Sequence, residues 1–352
     1  MKGKIVNESI MLKEIHQQPE KIRETLRINS DEIKSIAKKI REMNPKIIHF
    51  AARGSSEHAC ITAKYLFEIV CGIPCNIFNP SIITAYNSKY NLANSVAIGV
   101  SQCGEAPDVV EVLNRAKESG GLTIGITNTK GSPIETVSEH SLNCEAGPEV
   151  CVTATKSYMT QLTLLTALAA HVSEDESLLA AVEKLADTVQ AALCFEDEVA
   201  DMVRYFHCCD NMFLIARGYS VGVVAEAELK IQETCYVRAM AYSSADYTHG
   251  PFAMTGHNSP SIFVAADKHT DHDIDALYKR VLERHVLCVC ITNKTEIADR
   301  FPFAILLPHR CEGILGSFAA AVIFQFFASY LSILKGFNPD APIGVSKRTL
   351  TK

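Results

Sequence analysis

The sequence predicts an α/β protein made of two tandem copies of one domain, each a doubly wound parallel sheet flanked by helices. Three observations lead there. From Lys46 onward, short β-branched apolar runs alternate with longer amphipathic stretches. The same alternation returns in the second half of the chain. Two short words, each ending a strand-like run, also recur in order at nearly one offset: Ala52-Arg53-Gly54-Ser55-Ser56 as Ala216-Arg217-Gly218-Tyr219-Ser220, and Ile126-Thr127-Asn128 as Ile291-Thr292-Asn293. A repeat of that kind marks a duplicated unit.

Residues 1–45 read as a helical arm. Leu12, Ile15, Pro19, Ile22 and Leu26 give a helix–turn–helix, and Asp31-Glu32 open a second amphipathic helix that reaches Met43. Residues 47–52 form an apolar strand that stops at Gly54, and 55–69 have helical spacing. Strands at 76–78, 96–101 and 122–127 follow, with a helix at 106–119 between the last two. This order gives a parallel sheet covered on both faces. A long helical stretch at 178–202 leads into the second copy, where a helix at 220–236 carries Lys230 and Glu233. The two domains are expected at 46–175 and 176–340, with a tail at 341–352.

Bulk numbers bound the function. A chain of 352 residues can hold two domains of ordinary size. With 40 acidic and 34 basic residues the formal charge is −6, and no basic stripe offers a nucleic-acid surface. The 13 cysteines are odd in number and irregularly spaced, without paired CxxC elements. They read as reduced, mostly buried thiols of a cytoplasmic protein with no metal site. Residues 1–15 contain no apolar run of signal-peptide length. Residues 314–334 carry no charge and are long enough to cross a bilayer. Gly316, Ser317, Gln325, Ser329 and Ser332 interrupt that run, so it is expected as a helix buried between domains or subunits, not as a membrane span. Its need for apolar cover suggests a homodimer.

Ligands of open parallel sheets collect beyond the carboxyl ends of strands, where helix N-termini point. Gly54-Ser55-Ser56 and Ser101-Gln102-Cys103-Gly104-Glu105 are two such ends, rich in amides and small donors suited to a phosphate monoester. Ser and Gly also serve as ordinary helix caps, so one loop alone would not decide. The second copy is a control. There Ser101 and Gln102 map onto Ala265 and Ala266, and the donors are gone. Only the first copy is equipped for phosphate. Lys230 and Glu233, three apart, share a helix face and by themselves read as a solvated ion pair. By themselves, His249 before Gly250-Pro251 reads as a loop residue, and Lys347 as solvent-exposed.

The blocks GSSEHA, SQCGEAPD, AGPEVCVTATKSYMTQL, LKIQETCYVRAMAYSSADYTHGPFAM and DAPIGVSK together resemble the SIS (sugar isomerase) family. Within it they resemble the isomerase half of the glutamine–fructose-6-phosphate aminotransferase branch, nearly end to end, and residues 11–26 look like that branch's linker helix. The resemblance implies two flavodoxin-like three-layer SIS domains, a homodimer, no cofactor, and a sugar 6-phosphate as small-molecule ligand. It implies that Ser56, Ser101 and Gln102 hold the phosphate, with Gly54, Ser55, Cys103, Glu149 and Val152 in the same substrate pocket. Glu233 matches the family's base, which moves a proton between C1 and C2 through an enediol or enolamine, and Lys230 the lysine beside it. His249 matches the ring-opening histidine and Lys347 the lysine of a tail that closes over the sugar. The resemblance leaves open that His249 of the partner subunit completes the site. Such a reaction needs a base beside the carbon acid and a positive group for the developing oxyanion.

This chain departs from the family where the sugar would sit. The usual SxSGxT is Ser101-Gln102-Cys103-Gly104-Glu105-Ala106 here, and a thiol is a weaker donor than a hydroxyl. Arg53 could compensate through a bidentate anion contact, or could form a salt bridge. Met240, Asp246, Thr248 and Ile343 also replace the usual residues. No glutaminase domain is expected ahead of Lys46. Deamination of glucosamine 6-phosphate to fructose 6-phosphate and ammonia is therefore the leading expectation. Simple aldose–ketose isomerisation and fructosamine-6-phosphate deglycation would use the same groups. A non-catalytic sugar-phosphate-binding regulator is the alternative from another class.

Overall fold

The computed structural model describes residues 9–256 and 258–347. They form two compact bodies. The N-terminal body holds Gln18–Glu149, Lys156–Glu183 and the described tail from Ser346; the C-terminal body holds residues 9–17, Val150–Thr155 and Lys184–Val345. The chain opens with α1 (Ile10–His16), which belongs to the C-terminal body, and α2 (Gln18–Met43), which belongs to the N-terminal one. The expected break at Asp31 is absent, because α2 runs through it without interruption. Asn29, just before Asp31, lies inside this continuous helix. Its side chain donates to the carbonyls of Thr25 and Asn143 and accepts from the Asn143 amide. Pro19 lies in the first turn, where a missing N–H is harmless.

The N-terminal body is built on β1 (Ile47–Ala51), α3 (Ser55–Leu66), β2 (Cys75–Ile77), β3 (Ser95–Ser101), α4 (Pro107–Glu118), β4 (Leu122–Thr127), β5 (His140–Asn143) and α5 (Lys156–Ser173). Every strand pair is parallel and the order is β2-β1-β3-β4-β5. In β3 only Ser101 escapes full burial, which explains the unbroken apolar run that precedes it. α3 is shorter than its spacing suggests, since a π turn at Phe67–Cys71 leads out of it to Gly72.

The expected long helix at 178–202 is broken into α6 (Glu176–Ala192), a tight turn and α7 (Glu196–Met202). The C-terminal body then continues with β6 (Asn211–Ala216), α8 (Val221–Cys235), β7 (Arg238–Ser243), α9 (Ser244–Thr248), β8 (Ser261–Ala265), α10 (Asp271–Leu282), β9 (Cys288–Thr292), β10 (Phe303–Leu306) and α11 (Ile314–Leu334). Its parallel sheet has the order β7-β6-β8-β9-β10, which repeats the first sheet strand for strand. The duplication extends to register, because Ser101 pairs with Thr127 and Ala265 with Thr292. The repeated asparagines also play one part. Asn128 bonds the backbone of Ala146 and Gly147, and Asn293 bonds His309 and Glu312, in each case the loop after the next strand.

Among the described residues α11 is the one helix long and apolar enough to cross a membrane, and it is almost wholly buried in the protein. Within its own body it packs on α8, with Phe327 edge-on to Phe206 at 5.0 Å. Ser332 donates to the Thr234 carbonyl at 2.8 Å, Gln325 to that of Thr155, and Ser317 bonds Ser220, while the Ser329 hydroxyl is buried with no hydrogen-bond partner among the described residues. Each buried Phe or Leu here stabilises the body by about 1.5–3 kcal/mol. The chain thus supplies the cover that had suggested a second copy, and α11 gives no argument for a dimer. All 13 cysteines are free, and burial pushes thiols such as Cys144 and Cys235 up to about 12.

Candidate active site

In the N-terminal body the strand order reverses between β1 and β3, and both donor-rich ends lie at that switch point. Gly54 takes φ +55 as the N-cap of α3, and Gly218 takes φ +66 at the matching place in the second copy. A left-handed residue is needed there, which is why glycine recurs. The Gly54 carbonyl accepts from the amides of Glu57 and His58. Ser55 and Ser56 form the first turn that follows, with Ser56 buried. The Ser56 amide points out of the first turn, where a helix N-terminus offers N–H donors.

The second loop is held open from below. Ser101 Oγ accepts from the Gly104 amide at 3.2 Å and lies 3.8 Å from Cys103 Sγ. The Gln102 carbonyl takes the Asn128 amide, and the Gly104 carbonyl takes that of Ile134. Gly104 has φ +68, and a Cβ there would come within 2.7 Å of Thr127 Oγ1 and 2.5 Å of Ser132 Cβ. Ser101, Cys103 and Gly104 are therefore brought together as a preshaped turn.

Arg53 does salt-bridge: its Nε donates to Asp108 Oδ2 at 2.9 Å, with the Asp108 side chain buried and that of Arg53 44% exposed. The second copy builds the same bridge, from Arg217 Nε to Asp273 Oδ2 at 2.8 Å. Asp108 and Asp273, the partners of these arginines, are residues that sequence reading missed. Their signal was available, because each stands in the first turn of the helix after the third strand of its repeat.

Glu149 is buried and Lys347 reaches it at 2.8 Å. Ser157 donates to the same carboxylate from its amide at 3.0 Å and its hydroxyl at 2.7 Å. Burial pushes this carboxyl up, but Lys347 and Ser157 outweigh it and the net effect is a lowered pKa. Val152 belongs to the C-terminal body, where its amide donates to the Asp340 carbonyl at 3.1 Å.

On α8 of the C-terminal body, Lys230 is buried and donates to Glu233 Oε2 at 2.7 Å. Glu226 lies on its other side, at 3.4 Å. The pair is not solvated: the Lys230 side chain is 1% exposed, while Glu233 keeps 22% of its surface open. Glu226 escaped the sequence reading, although its spacing of four from Lys230 places it on the same face. His249 stands exposed at the end of α9, its amide bonded to the Asp246 carbonyl. It lines a cleft together with Arg217, Asp273 and Arg280. The described residues include no cluster of His, Cys, Asp and Glu able to hold a metal ion.

Comparison with known proteins sets this geometry in a family. The SIS domain model matches twice, at residues 43–171 and 205–333. The chain belongs to the SIS family. It is 30% identical over 346 residues to glutamine–fructose-6-phosphate aminotransferase [isomerizing] of Aquifex aeolicus, covering 96% of this chain and 57% of the relative. The rat enzyme of that name is 27% identical, over 99% of this chain and 53% of the relative. The chain thus spans little more than half the length of these curated relatives. Among solved SIS structures it is similar to the C-terminal domain of glucosamine-fructose-6-phosphate aminotransferase from Francisella tularensis, with TM-score 0.86, 25% identity and coverage of 95% and 98%. A glucosamine-6-phosphate deaminase from Thermotoga maritima shares the fold, with TM-score 0.79, 20% identity and coverage of 97% and 100%.

Proposed function

We propose that the chain is a 6-phosphosugar isomerase or deaminase acting on an amino-sugar or ketosamine 6-phosphate of the glucosamine 6-phosphate and fructose 6-phosphate type. The observation that carries this reading is the Lys230–Glu233 pair, a buried cation 2.7 Å from a carboxylate that keeps an open face. In the proposed reaction Ser56, Ser101 and Gln102 hold the 6-phosphate and His249 assists ring opening. Glu233 then takes the proton from one of C1 and C2 and returns it to the other. Lys230 steadies the oxygen on which negative charge develops, an electrostatic contribution that is large in a water-poor site. For an amino sugar, the proton shift converts the enolamine to a ketose imine, and water hydrolyses that to the ketose and ammonia. Lys347, tied to Glu149 in the free protein, is proposed to turn to the sugar when it binds.

The test is a panel of glucosamine 6-phosphate, fructosamine 6-phosphate, fructose 6-phosphate and glucose 6-phosphate, followed by ammonia release and by deuterium uptake from solvent at C1 and C2. Turnover of at least one is expected, with Glu233→Gln slower by roughly 10²–10⁴-fold. Binding without turnover, unchanged in Glu233→Gln, would instead identify a sugar-phosphate sensor.

A further inference from the structure

The C-terminal body carries a cleft that shares only His249 with the proposed reaction. It has a volume of about 300 Å³ and is walled by Arg217, Ser244, Thr248, His249, Asp273 and Arg280, over an apolar floor that includes Leu277. Two guanidinium groups meet here. Arg217 is fixed through Nε by Asp273, which leaves the rest of its fork to face a ligand. Arg280 forms no ion pair among the described residues and rests over the Phe252 ring at 4.5 Å, with Arg284 over the same ring at 5.3 Å. Ser244 is buried, and its hydroxyl has no hydrogen-bond partner. The Thr248 hydroxyl is bonded to the Ala245 carbonyl, so it closes the wall and is not a free donor. The nearby carboxylates are Asp273, engaged by Arg217, and Asp246, engaged by Ser243.

We infer that this cleft is a second anion site, taking the phosphate group of a small phosphate monoester. Two guanidinium forks, an imidazole and a hydroxyl offer more donors than a carboxylate's two oxygens can use, whereas the oxygens of a phosphate match them. One carboxylate in the wall leaves the cleft cationic. The site is distinct in residues from the Ser101 loop, although its ligand would lie against His249. The duplication explains its origin: the Arg–Asp bridge is common to both copies, and in the second it stands in the wall of this cleft.

The experiment titrates inorganic phosphate into the full chain and follows the His249 imidazole by nitrogen-edited NMR. A saturable shift is expected in the wild type and in Ser101→Ala, with the apparent Kd at least tenfold weaker in Arg280→Ala. Arg280 is exposed, so that variant keeps the fold, and Arg280→Lys is expected to fall between the two. An unmoved His249 signal, or a shift that survives intact in Arg280→Ala, overturns the inference. A shift lost in Ser101→Ala and kept in Arg280→Ala overturns it too, because phosphate would then be acting from the first loop. The readout does not depend on turnover, so a protein that is no isomerase could still pass it.

Discussion

The two switch-point crevices share strand order, a left-handed glycine, an asparagine anchor and an Arg–Asp bridge, yet their chemistry is opposite. The first ends in Ser101, Gln102 and Cys103, with Gly104 turned to φ +68. The second ends in Ala265, Ala266 and Asp267, and no described residue from 266 to 270 takes a positive φ. It is also filled by its own chain. The Gly313 amide bonds the Ala266 carbonyl at 2.7 Å, Ser317 bonds Ser220 at 2.9 Å, and a Cβ on Gly316 would come within 2.6 Å of that of Ala266. The first copy lines its strand end with donors, while the second fills the Ala265–Ala266 end with its own chain, adds the buried carboxylate of Asp267, and leaves its cleft beside the Arg217–Asp273 bridge. Duplication preserves the scaffold, and a few loop residues set which strand end carries hydroxyl and amide donors.

Beyond the Glu233→Gln effect, the largest response is expected from Gly104→Ala. The left-handed φ costs about 1–2 kcal/mol for an L-residue, and the crowding at Thr127 and Ser132 costs about 1–3 more, readable in thermal melts. The comparison sharpens with a matched pair. Ser101→Ala removes a hydroxyl from a charged ligand and should weaken sugar-phosphate binding roughly 10- to 100-fold by calorimetry. Ala265→Ser in the closed copy should create no binding at all. A gain there would break the contrast between the crevices.

A smaller effect concerns the tail. The Glu149 carboxyl has a folded pKa below its ordinary value, so its contribution to stability is present above about pH 4.5 and is lost as pH falls through the lowered value. The stability gap between wild type and Lys347→Ala should therefore be widest near neutral pH and shrink on acidification, as followed by denaturant titration. The smallest change is expected from Cys103→Ser, which restores a hydroxyl and should tighten phosphate binding about fivefold, or about 1 kcal/mol.

Much of this was legible in the sequence. Parallel strands read as unbroken apolar runs, so β1, β3 and β4 emerged nearly to the residue, and the two repeated words placed the duplication. The Ser101-to-Ala265 contrast came from the same offset. Residues that act by holding others were hidden. Asp108 and Ser157 lie inside the quoted blocks and Glu226 lies four residues from Lys230, but only their partners Arg53, Glu149 and Lys230 reveal what they do. The continuity of α2 was also out of reach, because Asp31-Glu32 look like a helix start, and the bonds that tie Asn29 to Asn143, far along the chain, carry no local signal.

A crystal structure of the chain with fructose 6-phosphate tests the central claim most directly. The account predicts the phosphate group among Ser56, Ser101 and Gln102, beside the first turn of α3. Phosphate density at the Ala265–Asp267 loop instead, with the Ser101 turn empty at saturating ligand, would contradict it.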